Sequence, residues 1–205
     1  MSRALSPSDA TTTAAAKEPP AASRRPFDVH GPRENPGGID LRFLPIDLLL
    51  RPLPALTASA LRCRILRAAG LRLAKSSIFW GMPTFLGTGD VAGQLTIGEV
   101  CGINVGCVFE LEDRITLHDH VSVGHNVMFL TRTYEMGPGA QRAGAVVRAP
   151  IVIEEGAWLG ARCTIMPGVT VGAGAVIGAS VVVTQNVPAN TLLTGSNKIS
   201  LAKWR

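Results

Sequence analysis

Three of the chain's four histidines fall within eight residues, in Leu117-His118-Asp119-His120-Val121-Ser122-Val123-Gly124-His125. Imidazole changes charge near neutral pH and also ligates metals, so His118, His120 and His125 read either as a source of a general base or as part of a metal site. Exposed turn residues following Leu117 and Val123 are a third reading. Glu112 and Asp113 put two carboxylates side by side, either near a site or as solvated loop charges. Asn104 offers an amide after Ile103, or a turn residue that tolerates unusual backbone angles. Tyr134 is the single tyrosine. The spacing of Cys63, Cys101, Cys107 and Cys163 matches no metal knuckle and no disulfide framework.

Such residues need a scaffold, and the sequence declares one by its period. Ile153, Leu159, Ile165, Val171, Ile177 and Val183 recur at six-residue spacing, and Ala157, Cys163, Val169, Ala175, Val181 and Val187 follow four positions after each. Earlier the pattern runs as Ile97, Ile103 and Phe109, then Leu117, Val123 and Phe129, with two residues inserted between Glu110 and Arg114. The period predicts a mainly β chain folded as a parallel β-helix of three-faced coils, about eighteen residues to the turn, with Ile153 under Val171 and Leu159 under Ile177. Cys101, Cys107 and Cys163 fall on inward corner positions, where cysteine packs as a small hydrophobe. The break from Tyr134 to Pro150, containing Gly137-Pro138-Gly139, reads as a surface loop on that scaffold.

Composition agrees. Glycine is abundant, at 22 of 205 residues, and aromatics are few (6 Phe, 3 Trp, 1 Tyr), as narrow coils filled by small and aliphatic side chains require. A 46% hydrophobic, 17% charged chain excludes global disorder as well as collagen. The net charge of +5 is local: residues 1–75 hold twelve Lys/Arg against six Asp/Glu, and residues 76–205 hold eight against nine. With no stretch interleaving basic and stacking aromatic residues, nucleic-acid binding is not expected. Residues 1–26 read as a disordered tail. From Ala55 to Ala69, Leu56, Ala60, Leu61, Ile65 and Ala69 approximate a helical stripe with Arg62, Arg64 and Arg67 off it, a packing helix or a weak contact with a membrane surface. Arg42, Arg51, Pro45, Pro52 and Pro54 interrupt the only candidate span around Leu48-Leu49-Leu50, and a cytoplasmic location is expected.

With these residues in place, the sequence resembles the hexapeptide-repeat acyltransferases, specifically the sugar O-acetyltransferase branch of maltose, galactoside and colanic-acid acetyltransferases. The resemblance runs over about residues 55–198 and is carried by Pro150-Ile151-Val152-Ile153, Ala157-Trp158-Leu159-Gly160, Ile165-Met166-Pro167-Gly168-Val169-Thr170-Val171-Gly172 and Val181-Val182-Val183-Thr184-Gln185-Asn186-Val187-Pro188. It implies a left-handed β-helix assembled as a homotrimer, with acetyl-CoA or another acyl-CoA as co-substrate between subunits, a sugar or other small hydroxyl compound as acceptor, and no metal. Trp158 matches a tryptophan that walls the acceptor and thiol end of the cleft; packing at a coil corner is the other reading. Gly160, Ala161, Ala179 and Thr184 match positions that present backbone groups to the pantetheine arm, although small residues there also satisfy the repeat. Asn104 matches an active-site asparagine, and Glu112 with Asp113 falls near an acidic position used towards the acceptor. Lys198, with Lys203, would reach the nucleotide end of CoA.

The chain departs from the family pattern where a base is needed. Acyl transfer to a hydroxyl requires removal of its proton, and the family places a histidine for this just before the long loop. Here the segment is Leu130-Thr131-Arg132-Thr133-Tyr134-Glu135, so the slot holds a tyrosine. A phenol, with an ordinary pKa near 10, is a poor base at neutral pH. His125 is the replacement candidate. Gln185 and Gly195-Ser196-Asn197-Lys198 also depart from the family's basic and turn residues. Val123-Gly124-His125-Asn126-Val127-Met128 looks like part of the γ-class carbonic anhydrase pattern, but Leu130 stands where that pattern continues with histidine. The expected organisation is a tail (1–26), an extended and helical segment (27–75), a β-helix (76–190) with a loop at 134–150, and an extension (191–205). The leading function is CoA-dependent O-acyl transfer from a non-standard centre containing Tyr134; a catalytically silent or binding homologue is the alternative, and a γ-carbonic-anhydrase-like metalloenzyme a remote one.

Overall fold

The computed structural model describes residues 43–195 and the strand Ile199–Ser200; the tail expected over residues 1–26 and the lysines Lys198 and Lys203 lie outside the described residues. Six-residue periodicity becomes a ladder of very short strands. The first coil is β1 (Arg72–Leu73), β2 (Ile78–Phe79) and β3 (Thr84–Leu86); the second is β4 (Leu95–Ile97), β5 (Gly102–Ile103) and β6 (Val108–Glu110). The third is β7 (Ile115–Leu117), β8 (Ser122–Val123) and β9 (Met128–Phe129). After an excursion, β10 (Arg132–Met136) and β11 (Ala143–Arg148), come the fourth coil, β12 (Ile151–Ile153), β13 (Trp158–Leu159) and β14 (Thr164–Ile165), and the fifth, β15 (Thr170–Val171), β16 (Val176–Ile177) and β17 (Val182–Val183). Strand β18 (Leu192–Leu193) lies in parallel on β16, and β19 (Ile199–Ser200) pairs with it in antiparallel.

Three parallel sheets result: β1-β4-β7-β12-β15 forms the first face, β2-β5-β8-β13-β16-β18 the second and β3-β6-β9-β14-β17 the third. In each two-residue strand up to β18 the first residue faces outward and the second is buried, the strand alternation reduced to its shortest form. Ile153 pairs with Val171, Leu159 with Ile177 and Ile165 with Val183, the register expected from the spacing. The helix also begins ahead of residue 76. Leu73, Phe79 and Phe85 sit under Ile97, Ile103 and Phe109, a coil the sequence repeat missed because residues 87–94, with a short 3-10 turn at Ala92–Gln94, separate it from the next.

Aromatics are scarce but concentrated. On the third face Phe85, Phe109, Phe129, Ile165 and Val183 form one inward column, so the early coils are wide enough for rings and the later ones are filled by aliphatics. Phe109 and Phe129 stack with centroids 4.8 Å apart, and Phe85 lies 6.0 Å from Phe109. Cys101, Cys107 and Cys163 are buried at the inward corners. The corners turn through left-handed backbone: Val100, His120, Gly156 and Gly174 between the first and second faces, and Gly106, Asn126, Arg162 and Ser180 between the second and third.

Two helices close the first coil. Helix α1 (Phe43–Leu50) buries Phe43 and Leu50, with the Phe43 ring 5.5 Å from Phe85. Helix α2 (Ser59–Ala68) starts later than the stripe from Ala55 implied, and it packs another side. Leu56, Ala60 and Leu61 are exposed, while Ser59, Arg62, Cys63 and Leu66 are buried. The correction has a local cause. Ala58 adopts left-handed backbone before the helix, which sets the Ser59-Arg62-Cys63-Leu66 stripe against the coil, where the Phe79 amide donates to Cys63 Sγ at 3.3 Å. Arg62 Nη1 donates to the carbonyls of Phe79 (3.3 Å) and Thr57 (3.4 Å), and burial pushes its guanidinium pKa down. Among the described residues no helix is long and apolar enough to cross a membrane.

Candidate functional site

The hexad register sorts the candidate residues by corner. Asn104, Gly124, Gly160 and Gly178 each follow the buried second residue of a second-face strand, and their amides climb the coil: Asn104 N donates to Val123 O at 3.0 Å, Gly124 N to Leu159 O at 2.8 Å, Gly160 N to Ile177 O at 2.7 Å. The column has no room for side chains in its upper part. A Cβ on Gly160 would stand 2.6 Å from Ile177 O and 2.7 Å from Ala179 N, and one on Gly124 would stand 2.7 Å from Ala161 N. Glycine is therefore demanded by backbone stacking, and the Gly160 amide is spent on the ladder.

Immediately outside this column lie His125, Ala161 and Ala179, so Asn104, His125, Gly160, Ala161 and Ala179 occupy one corner, between the second and third faces. Asn104 Nδ2 donates to Val123 O at 3.3 Å, and the buried Cys107 Sγ sits behind it, 3.2 Å from Asn104 O. His125 is exposed, with its carbonyl accepting from Arg162 N at 2.7 Å. Trp158 is not packed at a corner. It points outward from β13 between Ser122 and Val176 and is 54% exposed, a large aromatic surface on the second face.

A second group stands at the corner between the third and first faces. The segment read as a loop is an antiparallel hairpin in which Arg132 pairs with Arg148 and Tyr134 with Val146. Tyr134 is 49% exposed, and the Arg132 guanidinium lies 6.0 Å from its ring centre. Glu112 is neither a solvated loop charge nor free: its side chain is only 9% exposed, and Arg148 Nε lies 3.2 Å from Glu112 Oε2. Glu110 holds the other arm, accepting the Arg132 amide at 3.0 Å. The buried Thr131 ties the two carboxylate segments to the hairpin root, its hydroxyl donating to Glu110 O at 2.6 Å and accepting from Glu112 N (3.1 Å) and Asp113 N (3.2 Å). Sequence reasoning missed Thr131, Glu110 and Arg148; the signal available was two acids and two arginines flanking the break in the repeat. Thr184 sits exposed at this corner in a later coil, beside a concavity of about 90 Å³ with Val182, Asn186 and Leu193.

The histidines do not converge. His118 and His120 belong to the corner between the first and second faces and His125 to the next, and all three are exposed. Among the described residues no three His, Cys, Asp or Glu side chains come close enough to hold a metal ion.

The family described as bacterial transferase hexapeptide (six repeats) matches residues 150–185, the fourth and fifth coils. A galactoside O-acetyltransferase of Lactococcus lactis is 34% identical over 119 residues, 58% of this chain and 52% of its own. A Schizosaccharomyces pombe protein whose acetyltransferase assignment is itself provisional is 40% identical over 107 residues, 52% of each chain. The chain thus spans about half the length of these two relatives. Among solved structures, a hexapeptide-repeat acetyltransferase from Vibrio cholerae superposes with a TM-score of 0.64 at 29% identity, covering 78% of this chain and 88% of that one. The complex of that acetyltransferase with acetyl coenzyme A gives 0.62 at 26% identity, covering 80% and 87%. Period, parallel register and these likenesses agree that the chain carries the hexapeptide repeat and is similar over most of its length to hexapeptide-repeat acetyltransferases.

Proposed function

We propose that the protein is a CoA-dependent O-acetyltransferase acting on a sugar or another small hydroxyl compound, and that it works as a homotrimer with sites between neighbouring copies. The observation that carries this reading is the half-exposed Trp158 on the face that leads to a corner where Gly160, Ala161, Gly178 and Ala179 keep the backbone column free of long side chains. Such a surface suits a thin pantetheine arm laid against the coil, with the indole closing its thiol end. The likeness to an acetyl-CoA-bound structure over most of this chain supports it.

The acceptor hydroxyl attacks the thioester carbonyl, its proton passes to a base, and CoA leaves as the thiol once protonated. His125 is the base in this proposal and Asn104, in the coil below, holds the acceptor or the imidazole. Tyr134, reaching in on the hairpin of the neighbouring copy, donates its hydroxyl to oxygen at the reacting centre instead of removing a proton. Glu112 acts at one remove, by holding that hairpin.

Two measurements test this. CoA should raise the melting temperature, because a ligand bound only by the folded state stabilises it. Thiol release from acetyl-CoA should depend on one or more members of a sugar panel, and His125→Ala should lower kcat by about 10²–10⁴-fold. Intact transfer in His125→Ala removes the assigned base. Tyr134 in the family's histidine slot favours a second reading, a silent relative. No turnover in the wild-type chain, with turnover gained in Tyr134→His, would establish that reading instead.

A further inference from the structure

Helix α1 reads Phe43-Leu44-Pro45-Ile46-Asp47-Leu48-Leu49-Leu50, with Asp47 its one charged residue. A helix apolar on all sides belongs in an interior. This one lies on the surface: Leu44 is 62% exposed, Leu48 77% and Leu49 64%, and Leu61 on the neighbouring α2 is 48% exposed. A cluster of large aliphatics on one short element differs from the scattered surface leucines of ordinary proteins and marks a face awaiting a cover.

Charge chooses among the covers. Residues 43–75 carry Arg51, Arg62, Arg64, Arg67, Arg72 and Lys75 against Asp47 alone, whereas the rest of the chain is close to neutral. Arg62 is buried and Arg51 is paired with Asp47, but Arg64, Arg72 and Lys75 are exposed and Arg67 partly so. A second copy docking through the same face would set one basic rim against another. An anionic lipid surface satisfies both features, taking the leucines below the headgroups and the arginines and lysine among them. At eight residues α1 is about 12 Å long, enough to lie in the interface and too short to span it. We propose that α1, with Leu61, Arg64 and Arg67 of α2 and Arg72 of β1, seats the first-coil end of the β-helix on an anionic membrane surface.

The test is co-sedimentation of the full chain with vesicles of phosphatidylcholine alone or with about one-third phosphatidylglycerol, at low and physiological salt. Only the anionic vesicles bind, and binding weakens as salt rises. Leu48→Glu/Leu49→Glu reduces the partition coefficient at least about tenfold while leaving the thermal melt unchanged, because both side chains are already in solvent. Arg64→Gln and Arg72→Gln each reduce it about fivefold. The proposal is overturned if anionic vesicles do not bind, or if the double leucine variant binds like the wild type, which would place the contact on residues 1–42. It is equally overturned if the wild type ignores vesicles and the variant changes only the size of the assembly, which would make the face a contact between copies. None of these outcomes bears on CoA binding.

Discussion

Burial pushes the Cys107 thiol up to about 11 and the Cys163 thiol up to about 12, desolvation being the leading cause in each. Both occupy inward corners with no exposed surface, where a thiolate has nothing to replace its water. In the unfolded chain these thiols ionise near the ordinary value of 9.0. Between pH 9 and the raised values the unfolded state therefore sheds protons that the folded state keeps. Stability from this source is complete below about pH 9 and is lost as pH climbs through 11 to 12. Melting temperatures measured at pH 8, 10 and 11 should fall by several degrees at the alkaline end, and the Cys107→Ala/Cys163→Ala variant should show a flatter decline. Equal slopes in the two proteins would assign the alkaline loss to other groups. In the native protein at pH 8, neither thiol should react with an alkylating reagent.

The hairpin β10–β11 depends on a carboxylate at each arm. Glu112 pairs with Arg148 at 3.2 Å and Glu110 receives the Arg132 amide, while Thr131 joins their backbones. Because Glu112 is nearly buried, Glu112→Gln leaves Arg148 without its counter-charge and is expected to cost about 1–3 kcal/mol, lowering the melting temperature by roughly 3–10 °C. It should also open the hairpin to trypsin at Arg142. A residue that merely touched the acceptor would instead raise KM and leave both readouts in place, so the variant separates the two roles. The six-residue period made the coils legible from Ile97 onward, since each inward strand position holds an aliphatic or phenylalanine side chain and any slip would expose it. The hexads of the first coil, which lies mostly within the expected β-helix of 76–190, were masked by the insertion before β4, and the buried side of α2 by a left-handed residue that shifts where the helix begins. The hairpin was hidden for a different reason. Its anchors are polar contacts between residues about twenty to forty positions apart, and local spacing carries no record of such pairs.

At the scale of the whole chain, the candidate residues stand at two different corners. Asn104, His125 and Trp158 surround the corner between the second and third faces, whereas Tyr134 leaves from the next corner, close to the root fixed by Glu110 and Glu112. About five residues of extended chain separate adjacent corners, roughly 15–18 Å, which is beyond the reach of a hydrogen bond. A reaction using both sets is best served by a closed ring in which one copy offers its Asn104 corner to the hairpin of the next. That arrangement makes a quantitative prediction for mixed assemblies. Asn104→Ala and Tyr134→Ala should each abolish most transfer when expressed alone. Co-expressed in equal amounts, they form interfaces of which about a quarter combine an intact Asn104 from one copy with an intact Tyr134 from its neighbour, and activity should return to about a quarter of wild type. Two inactive variants that stay inactive when mixed, in assemblies verified to contain both chains, would place Asn104 and Tyr134 in a site contained within one copy. Full activity in Tyr134→Ala alone would take the hairpin out of the chemistry and leave its anchoring carboxylates with a purely structural role.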